Sequence, residues 1–516
     1  MAGIKRLAKS TATVSFGIMT SRILGFVRDI LIAKFFGMGV FAQAFVMAFT
    51  IPNGLRELVA EGAVNPVIVP VLTEYRAQRD KSEFFHFANV LFNVFLVTLL
   101  LIAIIGILAS PLLIRIMAPG FIVDPDKFYL TVELTKIFFP YILLVGLTAY
   151  CMGVLNTFKH FAAPAFAGTI WNATVIGGIL IFHDSFDVTH LALAILVGGV
   201  LQLLLQVFPL LKIGPFFNVK AGIFHKGTKK VGRLLLPRMV GAGIYEMNIM
   251  VDRILASLQL IVGKGAVACL YYANRLFQFP LALFGIAMAT AILPTMSSLF
   301  VKKSMDKFKK SISSSIKNMF FLIMPAAIGL MVLSRPIIKV IFERGEFTSY
   351  ATNITSSVLF FYTIGLVAYG GIKILVSAFY AMQDTNNPVK VASIALLTNI
   401  VLNLILMIPL KVSGLALATS ISGFVNLSLL FTILEKKIGR LQREEILVPL
   451  VKIIFASLIM GIVTYVLKIA IVWSGGVKGV MYLILVILFS LVVYLGASVI
   501  LKVKEVEMVF PWIKRD

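Results

Sequence analysis

The stretch SRILGFVRDILIAKFFG, residues 21–37, decides the class of this fold. Without Arg22, Arg28, Asp29 and Lys34 it reads as a membrane-spanning helix. With them it poses a physical problem, because full charges then run along the middle of a segment that lies in lipid. The rest of the chain answers the first half of that problem. Of 516 residues, 59% are hydrophobic and 14% charged, and the mean hydropathy is +0.99. A soluble chain of this length needs far more polar surface to cover its core. Apolar blocks of about 20–30 residues recur, the length that crosses ~30 Å of hydrocarbon at ~1.5 Å per residue. The ~10-residue alternation of a membrane β-barrel is missing. The sequence predicts an all-α polytopic membrane protein.

Fourteen transmembrane helices are expected, at roughly 12–36, 40–72, 83–116, 127–157, 162–183, 188–212, 234–260, 266–299, 310–341, 348–382, 388–409, 412–435, 446–473 and 477–502. The net charge of +24 would suggest nucleic acid in a soluble protein. Here it sorts by side instead. The even-numbered connections and both termini hold 27 Lys and Arg residues, and the odd-numbered connections about six. The positive-inside rule then places both termini in the cytoplasm and removes the need for a nucleic-acid partner. The basic start MAGIKRLAKS is not followed by a short apolar run with a small-residue cleavage site, so no cleaved signal is expected. Cys151 and Cys269 sit in apolar segments with no CxxC pair, and read as core residues rather than a disulfide.

The chain also repeats itself. LASPLLIRIMAPG (108–120) matches LSRPIIKVIFERG (333–345), and LALAILVGGVLQL (191–203) matches LALATSISGFVNL (415–427). FTIPNG (49–54) matches FQFPLA (277–282), and Pro164 stands over Pro388. The offsets lie between 224 and 228 residues. Six helices separate the copies, an even number, so the halves point the same way as a parallel repeat. This predicts two pseudo-symmetric six-helix lobes, residues 1–222 and 223–440, around a central cavity. Two extra C-terminal helices and a tail follow in 441–516. Paired lobes of this kind suit alternating access.

The buried charges then acquire a purpose. On a helix Asp29 lies about 20° from Arg22, while Arg28 and Lys34 point elsewhere, so no single polar stripe forms. Snorkelling suits Lys34 near the outer end, and an Arg22–Asp29 pair is the plain structural alternative. The second segment adds IPNGLRELVAEGA, 51–63, with Asn53, Arg56, Glu57 and Glu61. The eighth adds Arg275 in CLYYANRLFQFP. Each charge costs at least ~2.5–3.5 kcal/mol at the bilayer centre, so these residues should face a wet cavity or one another. Arginine holds phosphate with a planar, bidentate fork, and a cleft with Arg22, Arg28, Arg56 and Arg275 suits a pyrophosphate head. Asp29, Glu57 and Glu61 would hold the guanidinium groups or partly neutralise them.

Those residues carry a family resemblance. SRILGFVRDILIAKFFG, IPNGLRELVAEGAVNPVIVPVLTEY, APGF, FPYILL, GVLNTFKHFAAPAF, YYANRLFQFPLALFGIAMATAILP and QDTNNPVK closely resemble the MurJ/MviN family of lipid II flippases, along essentially the whole chain. The family belongs with the multidrug and toxin extrusion and polysaccharide exporters. The resemblance implies transfer of undecaprenyl-pyrophosphate-linked disaccharide-pentapeptide, lipid II, from the inner to the outer leaflet of the bacterial cytoplasmic membrane. It places the family's cavity arginines on Arg22, Arg28, Arg56 and Arg275, with Asp29 beside them. It implies a lipid-tail groove on the last two helices and a role beside the cell-wall synthesis and division machinery. Gln43 and Asn274 stand where many members have Asp, which implies a more positive cavity here. Some members bind sodium in the second lobe; Asp252 and Asp384 are the acidic candidates, with Thr398 and Asn399 as weaker ones, although Asp384 also reads as the start of the DTNNP turn.

No GxxxxGK[ST] sequence occurs, so this chain is not expected to hydrolyse ATP. Membrane potential is the other candidate drive, worth about 2.3 kcal/mol per charge per 100 mV. The rivals are an exporter of another polyprenyl-pyrophosphate oligosaccharide, a membrane enzyme and a scaffold. His86, His160, His183, His190 and His225 form no metal-ligand spacing, which counts against the enzyme. A scaffold should tolerate loss of the arginines. Two complete lobes need no second subunit, so a monomer is expected to suffice.

Overall fold

The computed structural model describes residues 2–58, 65–441 and 443–508, and no strand occurs among them. The chain forms two compact units that divide after Ser257.

The first unit holds α1 (Ala2–Phe36), α2 (Val40–Arg56), α3 (Asn65–Gln78), α4 (Lys81–Met117), α5 (Pro125–Thr157), α6 (Ala162–Ile181), α7 (Val188–Ile213) and α8 (Lys226–Ala256). Small residues let the helices that carry the charges approach closely, as expected for packing in lipid. A Cβ at Gly17 on α1 would stand 2.8 Å from the Ala165 carbonyl oxygen of α6. At Gly106 on α4 it would lie 1.9 Å from the Phe139 ring of α5, so nothing larger than glycine fits. The apolar core around Phe84, Phe87, Leu91, Tyr150, Val154 and Leu155 joins α4 to α5 at one end of the unit.

The expected boundary at 222/223 follows the repeat, whereas the packing keeps α8 with the first unit. The reason is a set of polar fastenings. Asn93 on α4 donates to the carbonyls of Asn218, Val219 and Gly222 at 3.1, 3.0 and 2.9 Å. Asn89 donates to Pro215 O at 2.8 Å and accepts from Asn218 N at 2.8 Å. His225 caps α8 by accepting from Gly227 N at 2.9 Å, while its other ring nitrogen meets Glu83 of α4 at 3.0 Å. Lys230 donates to both Glu74 oxygens of α3, at 2.8 and 2.7 Å.

The second unit holds α9 (Gln259–Val262), α10 (Ala266–Pro280), α11 (Ala287–Val301), α12 (Met305–Val332), α13 (Ser334–Phe342), α14 (Ser349–Ile364), α15 (Leu366–Ala381), α16 (Asn386–Leu410), α17 (Val412–Ile438), α18 (Arg443–Ala470) and α19 (Gly476–Ile500). A π-helical turn, Leu281–Ile286, joins α10 to α11 directly behind Pro280. Residues 57–58, behind Pro52 in the matching repeat, also turn as a π-helix. Proline removes a backbone donor and forces this local widening. A second core around Phe321, Ile453, Met460 and Tyr494 docks α18 and α19 on α12, with Tyr494 donating to Phe321 O at 2.7 Å.

Helix occurs in each expected segment among the described residues, with α1 starting ten and α8 eight residues before the expected positions and 59–64 lying outside the described residues. Among the described residues, ten spans are long and apolar enough to cross a membrane, or eleven when α14 and α15, bent by 41°, count as one. The expected segments outside that set are those of α1, α2 with α3, and α8, which carry most of the mid-helix charges, while Arg275 lies on α10 inside it. The protein is a multi-pass α-helical membrane protein. Both cysteines are free and buried, as expected of core residues.

Candidate functional site

Arg28 is 8% exposed and Asp29 2%, so neither snorkels to the headgroups. Neighbours in sequence diverge by about 100° on a helix, yet the guanidinium folds back. Nε and Nη2 of Arg28 donate to Asp29 Oδ1 at 3.0 and 2.7 Å. Nη1 donates to Asn172 Oδ1 of α6 at 2.9 Å. Asn172 is itself fixed, its Nδ2 donating to Ser21 O at 3.1 Å and to Gly168 O at 2.9 Å. The Trp171 ring lies 4.8 Å from Arg28 Cζ, with Phe49 stacked on that indole at 6.4 Å. These bonds use three of the five guanidinium N–H donors and leave two for an anion.

Asp29 therefore pairs with Arg28, not with Arg22 as the plain structural alternative had it. Arg22 is exposed. Lys34, half-buried, sits 5.5 Å from the Phe35 ring.

On α2, Arg56 Nε donates to Asn53 Oδ1 at 3.2 Å and Nη2 to Glu57 Oε1 at 3.3 Å. Asn53 Nδ2 donates to the same Glu57 oxygen at 3.0 Å. The Arg56 and Glu57 side chains remain 27% and 33% exposed, so this group is open where the Arg28 group is closed. Glu61 lies outside the described residues.

Asn172, Trp171, Glu246, Arg253 and Lys127 were not named as site residues from sequence. Asn172 and Trp171 sit in TIWNATV, where a lone asparagine in an apolar run was the available signal. Glu246 of α8 is 7% exposed and lies against α2, its Oε2 3.3 Å from where a Cβ at Gly54 would stand, and Arg253 Nη1 donates to Thr50 Oγ1 at 2.7 Å. Gln43 accepts a 2.9 Å bond from Lys127, which is 1% exposed and whose Nζ lies 3.8 Å from the Phe121 ring.

Arg275 belongs to the second unit. Its Nη2 donates to Tyr271 Oη at 3.2 Å, and its Cζ lies 4.9 Å from that ring, one helical turn back. The same unit holds an apolar cavity of about 440 Å³ between α12, α15, α17 and α18, lined by Phe320, Leu375, Phe431, Leu447 and Leu450.

The cation candidates fare differently. Asp384 hydrogen-bonds Lys437, and it accepts from Asn387 N at 3.1 Å and Asn387 Nδ2 at 2.6 Å. Burial works against its charge, but the Lys437 and Asn387 bonds outweigh it and hold the carboxyl below its ordinary range. An ammonium group already occupies that carboxylate, so Asp384 starts the turn into α16 and does not fit a sodium ion. Thr398 Oγ1 bonds back to Ile394 O at 3.0 Å, and Asn399 donates to Thr419 Oγ1 at 3.2 Å. Asp252 is 5% exposed on α8. Among the described residues no three His, Cys, Asp or Glu side chains gather as a metal cage.

The family described as lipid II flippase MurJ matches residues 32–487. A lipid II flippase MurJ of Burkholderia cenocepacia is 33% identical over 437 residues, 84% of each chain. A solved lipid II flippase MurJ in an inward closed conformation superposes with a TM-score of 0.81 at 28% identity, covering 94% of this chain and 98% of its own. An inward-facing multidrug resistance MATE transporter shares the fold, with a TM-score of 0.72 at 16% identity over 84% of this chain and 99% of its own.

Proposed function

The chain belongs to the MurJ family of lipid II flippases, and from that membership we propose how its own residues do the work. It translocates lipid II, the undecaprenyl-pyrophosphate-linked peptidoglycan precursor, across the membrane. Export of another polyprenyl-pyrophosphate oligosaccharide is not favoured, since the match to lipid II flippases runs along nearly the whole chain.

The observation that carries the mechanism is the buried network of Arg28, Asp29 and Asn172. It fixes a guanidinium with two N–H donors to spare in a setting where a free charge would be expelled. In this reading Arg22 and Arg56, the more exposed pair, meet the diphosphate first. Arg28 completes the grip as the helices part, and Arg275 joins from the second half. Fourteen helices form two six-helix lobes, residues 1–222 and 223–440, that rock about the head between inward-open and outward-open states. The polyprenyl tail stays in lipid and rests on the last two helices, where the apolar cavity beside α18 would hold part of its length. The membrane is the bacterial cytoplasmic membrane, both termini face the cytoplasm, and one copy suffices. No covalent step is needed, because binding energy and the rocking of the lobes move the head. Membrane potential supplies the drive in this reading; a cation on Asp252 is the alternative, with Asp384 set aside for the reason above.

The test is leaflet exposure of lipid II in cells depleted of the protein. Re-expression should restore outward exposure of lipid II, and loss should stop peptidoglycan synthesis rather than one surface polysaccharide. Normal lipid II exposure in depleted cells, with a different glycolipid trapped inside, would assign the chain to the other export.

A further inference from the structure

The arginine groups stand beside an aromatic cluster that the grip leaves unused. Phe49 of α2 and Trp171 of α6 lie nearly parallel, their ring centroids 6.4 Å apart at an interplanar angle of 14°. A second layer backs them. Phe138 of α5 meets Phe49 edge-on at 5.3 Å, and Tyr141 lies 5.7 Å from Phe49 and 6.0 Å from Trp171. The back layer is buried, Phe138 at 0% and Tyr141 at 2% exposed, whereas Phe49 and Trp171 are half-buried. The front layer is also held in place. Trp171 Nε1 donates to Ile195 O of α7 at 3.3 Å, and a Cβ at Gly198 would stand 3.0 Å from Trp171 Cδ1.

Core packing alone does not account for that placement. Tryptophan in membrane proteins gathers at the two interfaces, yet Trp171 sits at the middle of α6, a membrane-length span. Both rings also neighbour the guanidinium groups. Arg28 Cζ is 4.8 Å from the Trp171 ring. Phe49, Asn53 and Arg56 recur at i, i+4 and i+7 along α2, which puts them on one face, with Arg56 about 10 Å along the axis from Phe49. A pyranose ring presents a face of C–H groups and keeps its hydroxyls at the rim, and such a face rests on the electron-rich face of an aromatic ring.

We propose that Phe49 and Trp171 are the platform on which the first sugar of the head group stacks, so that the site selects a glycosylated diphosphate over a bare polyprenyl diphosphate. The inference rests on the reading of the arginines as a diphosphate site. The sugar is bonded to the distal phosphate, so a diphosphate on Arg28 and Arg56 carries it to the adjoining rings. The arginines bind charge that both lipids share and give no choice between them. The rings act only where a sugar is present. A platform already fixed by Ile195 and Gly198 loses little side-chain freedom on binding and keeps the stacking gain. Two aromatic faces together are worth on the order of tenfold in affinity. A loaded carrier is thus moved in preference to an empty one.

The experiment uses the full-length protein in lipid nanodiscs and three lipids with one tail: lipid II, undecaprenyl diphosphate, and undecaprenyl diphosphate carrying a single N-acetylhexosamine without peptide. Wild type should hold both glycosylated lipids on the order of tenfold more tightly than the bare diphosphate. Phe49→Leu should erase that preference by weakening the glycosylated lipids, and Phe49→Tyr, which keeps the ring, should retain it. A second reading leaves the platform intact. With the other two tryptophans replaced, Trp473→Phe and Trp512→Phe, the emission of Trp171 should shift with the single-sugar lipid and not with the bare diphosphate. Wild type that binds the single-sugar lipid no better than the bare one, an equal loss of all three lipids in Phe49→Leu, or an emission shift that ignores the sugar would overturn the proposal. Undecaprenyl diphosphate binding that survives Arg28→Ala with Asp29→Ala would instead sink the diphosphate reading, and the Trp171 emission still decides the platform.

Discussion

Arg28 and Asp29 show how a charge becomes tolerable in a membrane. The guanidinium costs far more buried alone than buried with a carboxylate and an amide oxygen in hydrogen-bond range. Arg28→Ala therefore strands Asp29 and should destabilise the first unit by about 3–5 kcal/mol. The double substitution Arg28→Ala with Asp29→Ala removes both charges and should recover most of that loss. Thermal unfolding in detergent separates the two, and neither variant should flip lipid II. Arg28→Lys keeps the charge without the planar fork and should also fail in transport. The charged half of this group was legible, because four ionisable residues inside an apolar run demand an explanation. Its neutral half was not: Asn172 and Trp171 lie about 144 residues away in sequence and titrate nothing. Glu246 escaped for another reason, since its helix was assigned to the other lobe.

At the scale of elements, hydropathy located the long apolar helices but not where a helix bends or to what it is fastened. The π-helical turns at 57–58, behind Pro52, and at Leu281–Ile286, behind Pro280, follow from proline's missing donor. The bend between α14 and α15 comes at Gly365, where a Cβ would meet Ser420 Cα at 2.8 Å. Close approaches of this kind depend on the partner helix and leave no periodic signal. The fastening of the 214–225 segment was equally hidden, because asparagine side chains at 89 and 93 bind backbone carbonyls, which carry no sequence information. Asn93→Ala leaves three of those carbonyls without their donor and should cost about 1–3 kcal/mol. Faster proteolysis within 214–225 of the folded protein would report it. Gly106→Val should be worse for the first unit, since the side chain would have to displace the Phe139 ring; a lowered unfolding temperature checks it.

For the whole molecule, composition and the internal repeat carried more than any local motif. An excess of Lys and Arg in alternate connections is the sequence feature from which both termini are expected in the cytoplasm. The buried state of Cys151 and Cys269 makes that orientation easy to test. A cysteine introduced at Val123, 68% exposed, should react with an impermeant thiol reagent added outside the cell, and one at Val301, 75% exposed, should not. The repeat did not reveal how the packing divides, because α8 is the first helix of the second copy and yet is sewn to the first unit by His225, Lys230 and the asparagine clamp.

The central claim is that arginines grip a diphosphate. It is tested most directly by measuring outward exposure of lipid II in depleted cells carrying wild type, Arg28→Ala with Asp29→Ala, or Arg275→Ala, at matched membrane abundance. The account predicts that wild type restores exposure and that both arginine variants lose at least about tenfold, the usual worth of a charge-assisted contact. Restoration by both variants would mean that the charges in SRILGFVRDILIAKFFG only hold helices together, and the mechanism would be wrong.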